Sequence, residues 1–113
     1  MELAVEQLSD TITVAIPAGR WDVAGAMSID LKMSVIAGSG RSVIIDMAQV
    51  TFLSSMGIRT IIMSAKAISL RGGRLALLSP SDHVAAVLNS TGIDTLVPIC
   101  TDLAAAQLAV SNG

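Results

Sequence analysis

Two adjacent serines, Ser54 and Ser55, are the residues of this chain whose positions are best suited to chemistry. Residues 54–58 read Ser-Ser-Met-Gly-Ile and join a strand-like apolar run to an amphipathic, helix-like run that reaches about Leu70. A serine at a helix start ordinarily caps the helix by accepting a backbone N–H. The same place can hold a phosphate, because free N–H groups and the helix dipole both favour negative charge. The junction therefore predicts either a plain cap or a phosphate site.

Three aspartates at the ends of predicted elements are further candidates. Asp22 precedes one predicted helix and Asp82 opens another, positions where aspartate is an ordinary N-cap. Asp46 ends a predicted central strand, where it can hold the next loop. The strand-to-helix connections of a parallel sheet open at one end of that sheet, where sites commonly form. We therefore expect the Asp22 loop and the Ser54–Ser55 turn to be neighbours.

Enzyme signatures are missing from the sequence. It contains no P-loop, no G-x-G-x-x-G after a strand, no G-x-S-x-G elbow and no C-x-x-C. The sole histidine, His83, lies in the first turn of a predicted helix without a ligand cluster beside it, so a surface role is the simpler interpretation. We predict a protein without catalytic residues, metal or cofactor.

Composition limits the possible classes of function. The chain has 113 residues, of which 52% are hydrophobic, with one Trp, one Phe, no Tyr and a formal net charge of −2. This length suits a single domain over residues 1–113 with a real core. Nucleic-acid binding is disfavoured, since it needs a basic face and, for single strands, aromatic stacking platforms.

Cysteine usage and the lengths of apolar runs bear on the compartment. The one cysteine, Cys100, cannot form an intramolecular disulfide, which favours a reducing compartment and a structural role for this small side chain. No apolar run approaches the ~20 residues of a membrane helix, and residues 1–6 lack the features of a signal peptide. We expect a soluble, cytoplasmic protein that contacts no membrane.

Hydrophobic periodicity predicts alternating strands and helices. After a weakly strand-like start, residues 11–16 alternate as a half-buried strand that Pro17 should end, and residues 19–22 should form a loop. The apolar run 43–45, within the strand-like stretch 41–53, indicates a strand buried on both faces. Further elements are helices at 23–37, 54–70, 81–92 and 103–110 and strands at 74–79 and 95–100, the last an edge strand because of Pro98, with 111–113 frayed.

This order of elements predicts an α/β fold. Two early strands followed by a helix–strand alternation give a mixed sheet of four to five strands covered by about four helices. Right-handed crossovers would place the later helices beside one another on that sheet.

Four short motifs follow one another along the chain. Residues 46–59 hold an aspartate-ended strand, an apolar pair and Ser-Ser-x-Gly-Ile opening a helix, and residues 19–22 read Gly-Arg-Trp-Asp. Residues 72–75 place Gly-Gly before a strand, and residues 87–93 contain Leu-x-x-x-Gly-Ile. In this order the motifs resemble those of STAS domains, specifically bacterial anti-sigma factor antagonists. Each motif alone is weak, whereas four in order over nearly the whole chain are fairly specific.

The resemblance implies a STAS fold and an interaction module controlled by phosphorylation. In this family the unphosphorylated domain binds an anti-sigma factor, often a serine/threonine protein kinase, and so releases the sigma factor. The kinase phosphorylates the serine before x-Gly, and a metal-dependent serine phosphatase restores the antagonist. By motif that serine is Ser55, with Ser54 as the second choice, and Asp22 matches the family's loop acid.

One position departs from the usual pattern, because Ser54 stands where many members have an aspartate. A phosphate on Ser55 would add about −1.5 to −2 charges, which a helix start tolerates but a partner surface built for a neutral hydroxyl does not. The expected partner surface comprises Ser54, Ser55, Met56, Arg59 and the Asp22 loop, on a monomer or weak dimer. Met56 is either an exposed apolar contact or partial core filling.

Two other interpretations stay open from the sequence. A STAS-type sensory module that binds a small ligand or nucleotide would need a sizeable apolar pocket with convergent polar groups. A small hydrolase that uses Ser55 would need His83 and an acid within hydrogen-bond reach, an arrangement that the spacing does not favour.

Overall fold

A mixed β-sheet with helices on both faces organises the chain. The computed structural model describes residues 1–111. In chain order the elements are β1 (Glu2–Gln7), β2 (Ile12–Trp21), α1 (Val23–Ala37), β3 (Ser42–Asp46), β4 (Val50–Leu53), α2 (Ser55–Leu70), β5 (Leu75–Leu78), α3 (Asp82–Ser90), a 3₁₀ turn (Ile93–Thr95), β6 (Ile99–Cys100) and α4 (Leu103–Ser111).

The sheet is parallel apart from its first strand. Its order is β1-β2-β3-β5-β6, with β1 antiparallel to β2 and the other pairs parallel. β4 pairs with the last part of β2, beyond the segment that pairs with β3. The predicted mixed α/β sheet with about four helices is confirmed, and the six strands exceed the predicted four to five.

Two apolar layers cover the two faces of the sheet. Val43, Ile44 and Ile45 of β3 are fully buried, as their unbroken apolar run predicted. Val43 and Ile45 join the layer under α1, α2 and α3, whereas Ile44 joins a smaller layer under α4. The prediction that the later helices lie beside one another is therefore wrong for α4, which covers the opposite face.

Pro17 does not end the second strand. β2 continues to Trp21, so residues 19–21, predicted as a loop, are its last three residues. On the side away from β1, β2 pairs with β3 as far as Ala15 and with β4 from Gly19 onward. Pro17 lacks a backbone N–H and falls in the gap between these two ladders, where no donor is required.

Two other predicted boundaries also differ from the structure. The run 41–53 forms two strands, because the chain turns after Asp46, whose Oδ1 accepts the Ala48 N–H at 3.1 Å. The predicted strand 95–100 shrinks to β6, since a 3₁₀ turn occupies Ile93–Thr95. β6 does lie at the sheet edge, as predicted.

Of residues 111–113, which were predicted to fray, the structure describes only Ser111. Ser111 is the last residue of α4, and Asn112 and Gly113 lie outside the described residues.

Candidate functional site

Two helices begin side by side at the carboxyl ends of β2 and β4. Trp21 and Leu53 are paired in register as the last residues of these parallel strands, and Asp22 and Ser54 follow them directly. The backbone N–H of Ser54 donates to the Trp21 carbonyl at 2.9 Å, and the Ser54 hydroxyl donates to the same oxygen at 2.8 Å. The structure thus brings the Asp22 loop and the serine pair together.

Each of these helices is capped by the residue that follows its strand. Asp22 Oδ1 accepts the N–H of Gly25 at 2.8 Å, and Ser54 Oγ accepts the N–H of Gly57 at 3.3 Å. Each cap satisfies one of the backbone donors that a helix start leaves free. Asp22 and Ser54 therefore both have the capping role that their residue types predict.

The two capped glycines are places of close packing. A Cβ at Gly25 would collide with the backbone carbonyl oxygen of Arg20. A Cβ at Gly57 would lie 2.7 Å from Leu53 Cδ1 and 2.9 Å from Trp21 Cγ. Trp21 is completely buried, and its indole N–H has no hydrogen-bond partner within residues 1–111. The glycine of the Ser-Ser-x-Gly motif thus lets α2 start directly against the buried indole.

The two serine hydroxyls have different surroundings. The Ser54 hydroxyl is half-buried and engaged twice, as donor to the Trp21 carbonyl and as acceptor from Gly57. Ser55 is exposed as the first residue of α2, and within residues 1–111 its hydroxyl has no hydrogen-bond partner. The backbone N–H groups of Ser55 and Met56 belong to the free donors of this first turn. Of the two hydroxyls, that of Ser55 is open to another molecule.

Asp22 supplies the negative charge of this region. Its pKa is lowered chiefly by the hydrogen bond from the Gly25 N–H and further by the Arg20 guanidinium, whose Nε lies 3.6 Å from Asp22 Oδ2. The Arg20 guanidinium also lies over the Phe52 ring, 4.3 Å from its centroid, in cation–π geometry. The sequence analysis did not predict the pairing of Arg20 with Asp22. The spacing was an available signal, because residues two apart in an extended segment lie on the same face.

Met56 and Arg59 continue the region along α2. Met56 is half-buried and packs against the main core, whereas Arg59 is exposed one turn after Ser55. Both residues line a groove of about 470 Å³ between α1 and α2. All the residues predicted to contact a partner thus lie at the paired helix starts or within one turn of them.

The remaining candidates, His83 and Asp82, lie in the first turn of α3. No hydrogen bond in the described part of the chain joins Ser55 to His83, which is exposed in the first turn of α3. Asp82 is wrongly predicted as the α3 cap: Ser81 has that role, accepting the N–H of Val84 at 3.3 Å. Asp82 instead occupies the first turn, where the helix dipole favours an acid.

Residues 1–111 show neither a metal-binding cluster nor a membrane-spanning helix. Among them, no three His, Cys, Asp or Glu side chains are grouped so as to hold a metal ion. None of the helices within this range has the length and apolar character that a bilayer crossing requires. Cys100 is half-buried, and desolvation, followed by the nearby charge of Asp102, raises the pKa of its thiol.

Comparisons with known proteins agree with the motifs. The STAS domain model matches residues 4–106. BtrV of Bordetella bronchiseptica, named as an anti-sigma factor antagonist, is 26% identical over 110 residues, which cover 96% of this chain and 94% of BtrV. The solved anti-sigma factor antagonist of Mycobacterium paratuberculosis has a TM-score of 0.87 at 20% identity, covering 97% of this chain and 93% of its own.

SpoIIAA of Bacillus, an anti-sigma factor antagonist, has been solved in two states. Its unphosphorylated form has a TM-score of 0.79 at 21% identity and covers 95% of each chain. Its phosphorylated form has a TM-score of 0.70 at 21% identity, covering 92% of this chain and 96% of its own. Because the family model spans nearly the whole sequence and these folds agree with it, the chain belongs to the STAS domain family.

Proposed function

We propose that this chain is an anti-sigma factor antagonist that binds an anti-sigma factor of the serine/threonine kinase type, releases the sigma factor and is switched off by phosphorylation of Ser55. A metal-dependent serine phosphatase would reverse the switch. The chain is then a substrate and a binding partner, with no catalysis of its own. The names of the similar proteins support the antagonist role, and the observation that carries the switch is the exposed Ser55 hydroxyl, which has no hydrogen-bond partner within residues 1–111.

The hydrogen bonds around the two serines favour Ser55 as the acceptor. A kinase needs a hydroxyl oxygen that can reach the phosphate donor, and the Ser55 hydroxyl has no partner within residues 1–111. Phosphorylation of Ser54 would break the donation to the Trp21 carbonyl and crowd the cap on Gly57. Ser54 is therefore the structural serine and Ser55 the regulatory one.

The surrounding charges explain how a phosphate would block binding without unfolding the domain. A phosphate on Ser55 adds about −1.5 to −2 charges next to free helix N–H groups, which stabilise it within the domain. The neighbouring Asp22 carboxylate is already balanced in part by Arg20 at 3.6 Å. A partner that fits the neutral hydroxyl would have to desolvate or repel the added dianion, which weakens the complex.

The acceptor can be identified with purified proteins. We expect the kinase-type anti-sigma factor of the source organism, given ATP and Mg²⁺, to modify the wild-type chain at Ser55, as mapped by mass spectrometry. Ser55→Ala should abolish the modification, whereas Ser54→Ala, the matched control one residue away, should retain it. Modification at Ser54, or at neither serine, would contradict the proposal.

A further inference from the structure

α1 is apolar around most of its circumference. Its inner face packs on the sheet through buried residues that include Ala26, Ile29, Met33 and Ile36. Its outer face carries Val23, Met27, Leu31 and Val35, which are 55%, 72%, 78% and 68% exposed and are called the α1 ridge below. A helix that is apolar all round is normally covered on all sides. The isolated domain leaves the ridge uncovered.

The ridge has the geometry that packs against another helix. Its members are four residues apart, and such a row interdigitates with the matching row of a second helix in the commonest packing class. The row begins at Val23, the residue directly after the cap Asp22. One end of the ridge therefore lies at the paired helix starts that form the candidate site.

A groove follows the ridge on the side of α2. Its walls include Met56 and the half-exposed Met63 of α2, and methionine side chains adapt readily to a partner's shape. Asp30 of α1 accepts a hydrogen bond from the Thr60 hydroxyl at 3.0 Å, which links the two helices. Ridge and groove thus lie on neighbouring sides of α1, and the groove reaches Met56, the residue after Ser55.

The charges of the groove favour an acidic partner. Arg59 and Arg71 line it together with a single acid, Asp30, whose carboxylate already accepts the Thr60 hydroxyl. Within residues 1–111 neither Arg59 nor Arg71 takes part in an ion pair. The two arginines are twelve residues apart, which is about 18 Å along a helix that rises 1.5 Å per residue. A partner helix of about three turns would span both.

Building on the proposed function, we propose that the α1 ridge and the adjoining groove bind a helix of the kinase-type anti-sigma factor. That helix would present an apolar row to the ridge and to Met63, with acidic side chains opposite Arg59 and Arg71. Helix-in-groove recognition uses this combination of apolar anchors and flanking charges. The contact would extend the partner surface well beyond the phosphorylation site.

Two matched pairs of exposed-residue variants test this surface in the full chain. We expect Leu31→Asp to weaken the affinity for the purified anti-sigma factor at least tenfold, and Arg71→Glu at least fivefold, by isothermal titration calorimetry. The controls are Leu108→Asp, at a residue 67% exposed on the opposite face of the sheet, and Arg74→Glu, at an exposed arginine outside the groove. Both controls should bind within twofold of wild type.

Methionine oxidation gives a readout that needs no mutation. In the complex with the same anti-sigma factor, peroxide should oxidise the exposed Met27 and Met63 several-fold more slowly than in the free chain. The buried Met33 and Met47, each at most 1% exposed, should react slowly in both states and report an intact fold.

The outcomes separate this inference from the proposed function. If Ser55→Asp loses binding while Leu31→Asp and Arg71→Glu bind as wild type and Met27 stays unprotected, the docking surface is overturned and the switch is retained. If the wild-type chain binds no kinase-type anti-sigma factor of its organism, both are overturned. Selective loss in the ridge and groove variants, with protection of Met27 and Met63, supports the surface.

Discussion

The starts of α1 and α2 share one construction and differ in the residue types of the cap and of the first helical position. In both, the residue after a parallel strand caps the helix by accepting the N–H of a glycine three positions later. α1 has the acid Asp22 as its cap and an apolar Val23 as its first residue, whereas α2 has the neutral Ser54 followed by Ser55. The shared parts hold the fold. The parts that differ, above all the exposed Ser55 hydroxyl, are where the proposed regulation would act without cost to the fold.

The largest losses of stability should come from replacing the capped glycines at the two helix starts. Gly25→Ala forces a Cβ onto the Arg20 carbonyl, which is backbone and cannot rotate away. Gly57→Ala meets the flexible end of Leu53 and, slightly less closely, the buried ring of Trp21. Overpacking lowers the free energy of unfolding by about 1–3 kcal/mol. We expect a loss near or above the upper end of this range for Gly25→Ala and a smaller loss for Gly57→Ala. Urea unfolding measures both values.

Fluorescence of the sole tryptophan provides the control for this pair. Gly57→Ala should alter the emission of the buried Trp21 in the folded state, because the new methyl touches its ring. Gly25→Ala should change that emission less. A larger loss of stability in Gly57→Ala than in Gly25→Ala would contradict the ranking of the two starts.

Alanine substitutions of the two serines should change the free energy of unfolding by different amounts, both smaller than the effect of Gly25→Ala. Ser54→Ala removes the α2 cap and one donor to the Trp21 carbonyl, so we expect a loss of about 1 kcal/mol in the free energy of unfolding. Ser55→Ala removes an exposed hydroxyl without a partner in the described chain and should stay within about 0.5 kcal/mol of wild type. Chemical denaturation at neutral pH distinguishes these values, and equal losses would show that Ser54 has no special structural role.

The smallest expected effect concerns the acid cap of α1. The folded state holds the pKa of Asp22 below its ordinary value of 3.8. The charged carboxylate therefore stabilises the fold above about pH 4, and this contribution is lost as the pH falls through the lower folded pKa. Asp22→Asn should lose less stability than wild type over that acid range, as measured by urea midpoints from neutral to acid pH. Ser54→Ala should keep the wild-type acid dependence, and a flattened profile there would contradict the assignment to Asp22.

Local patterns predicted well wherever the deciding contacts are local. The cap at Ser54, the span of α2 and the burial of Val43–Ile45 all follow from neighbouring residues. The prediction that Pro17 ends the strand was wrong. The strand can include Pro17 because β2 changes its partner from β3 to β4 around this residue, and the local sequence does not show that change. The position of α4 on the far face depends on packing of the whole domain, so periodicity in the helix alone does not reveal it.

In the candidate site, too, features set by neighbouring residues were predictable from the sequence, and features set by residues far apart in the chain were not. The family-like motif identified both serines, and the helix start explained why a phosphate could be tolerated there. Their separate roles were suggested by motif position, but the physical distinction rests on the Trp21 carbonyl, 33 residues from Ser54 along the chain. The spacing of Ala26, Ile29, Met33 and Ile36 indicates the face of α1 that meets the sheet, whereas no local pattern shows that the second apolar row, the α1 ridge, stays exposed.

The central claim is that charge on Ser55 controls binding while the fold stays intact. The most direct measurement is the affinity of the purified anti-sigma factor for the unmodified chain and for the chain phosphorylated at Ser55, paired with urea unfolding of both forms. We predict binding about 100-fold weaker after phosphorylation, equivalent to about 2.7 kcal/mol, with the unfolding free energy changed by less than about 1 kcal/mol. Equal affinities for the two folded forms would contradict the account.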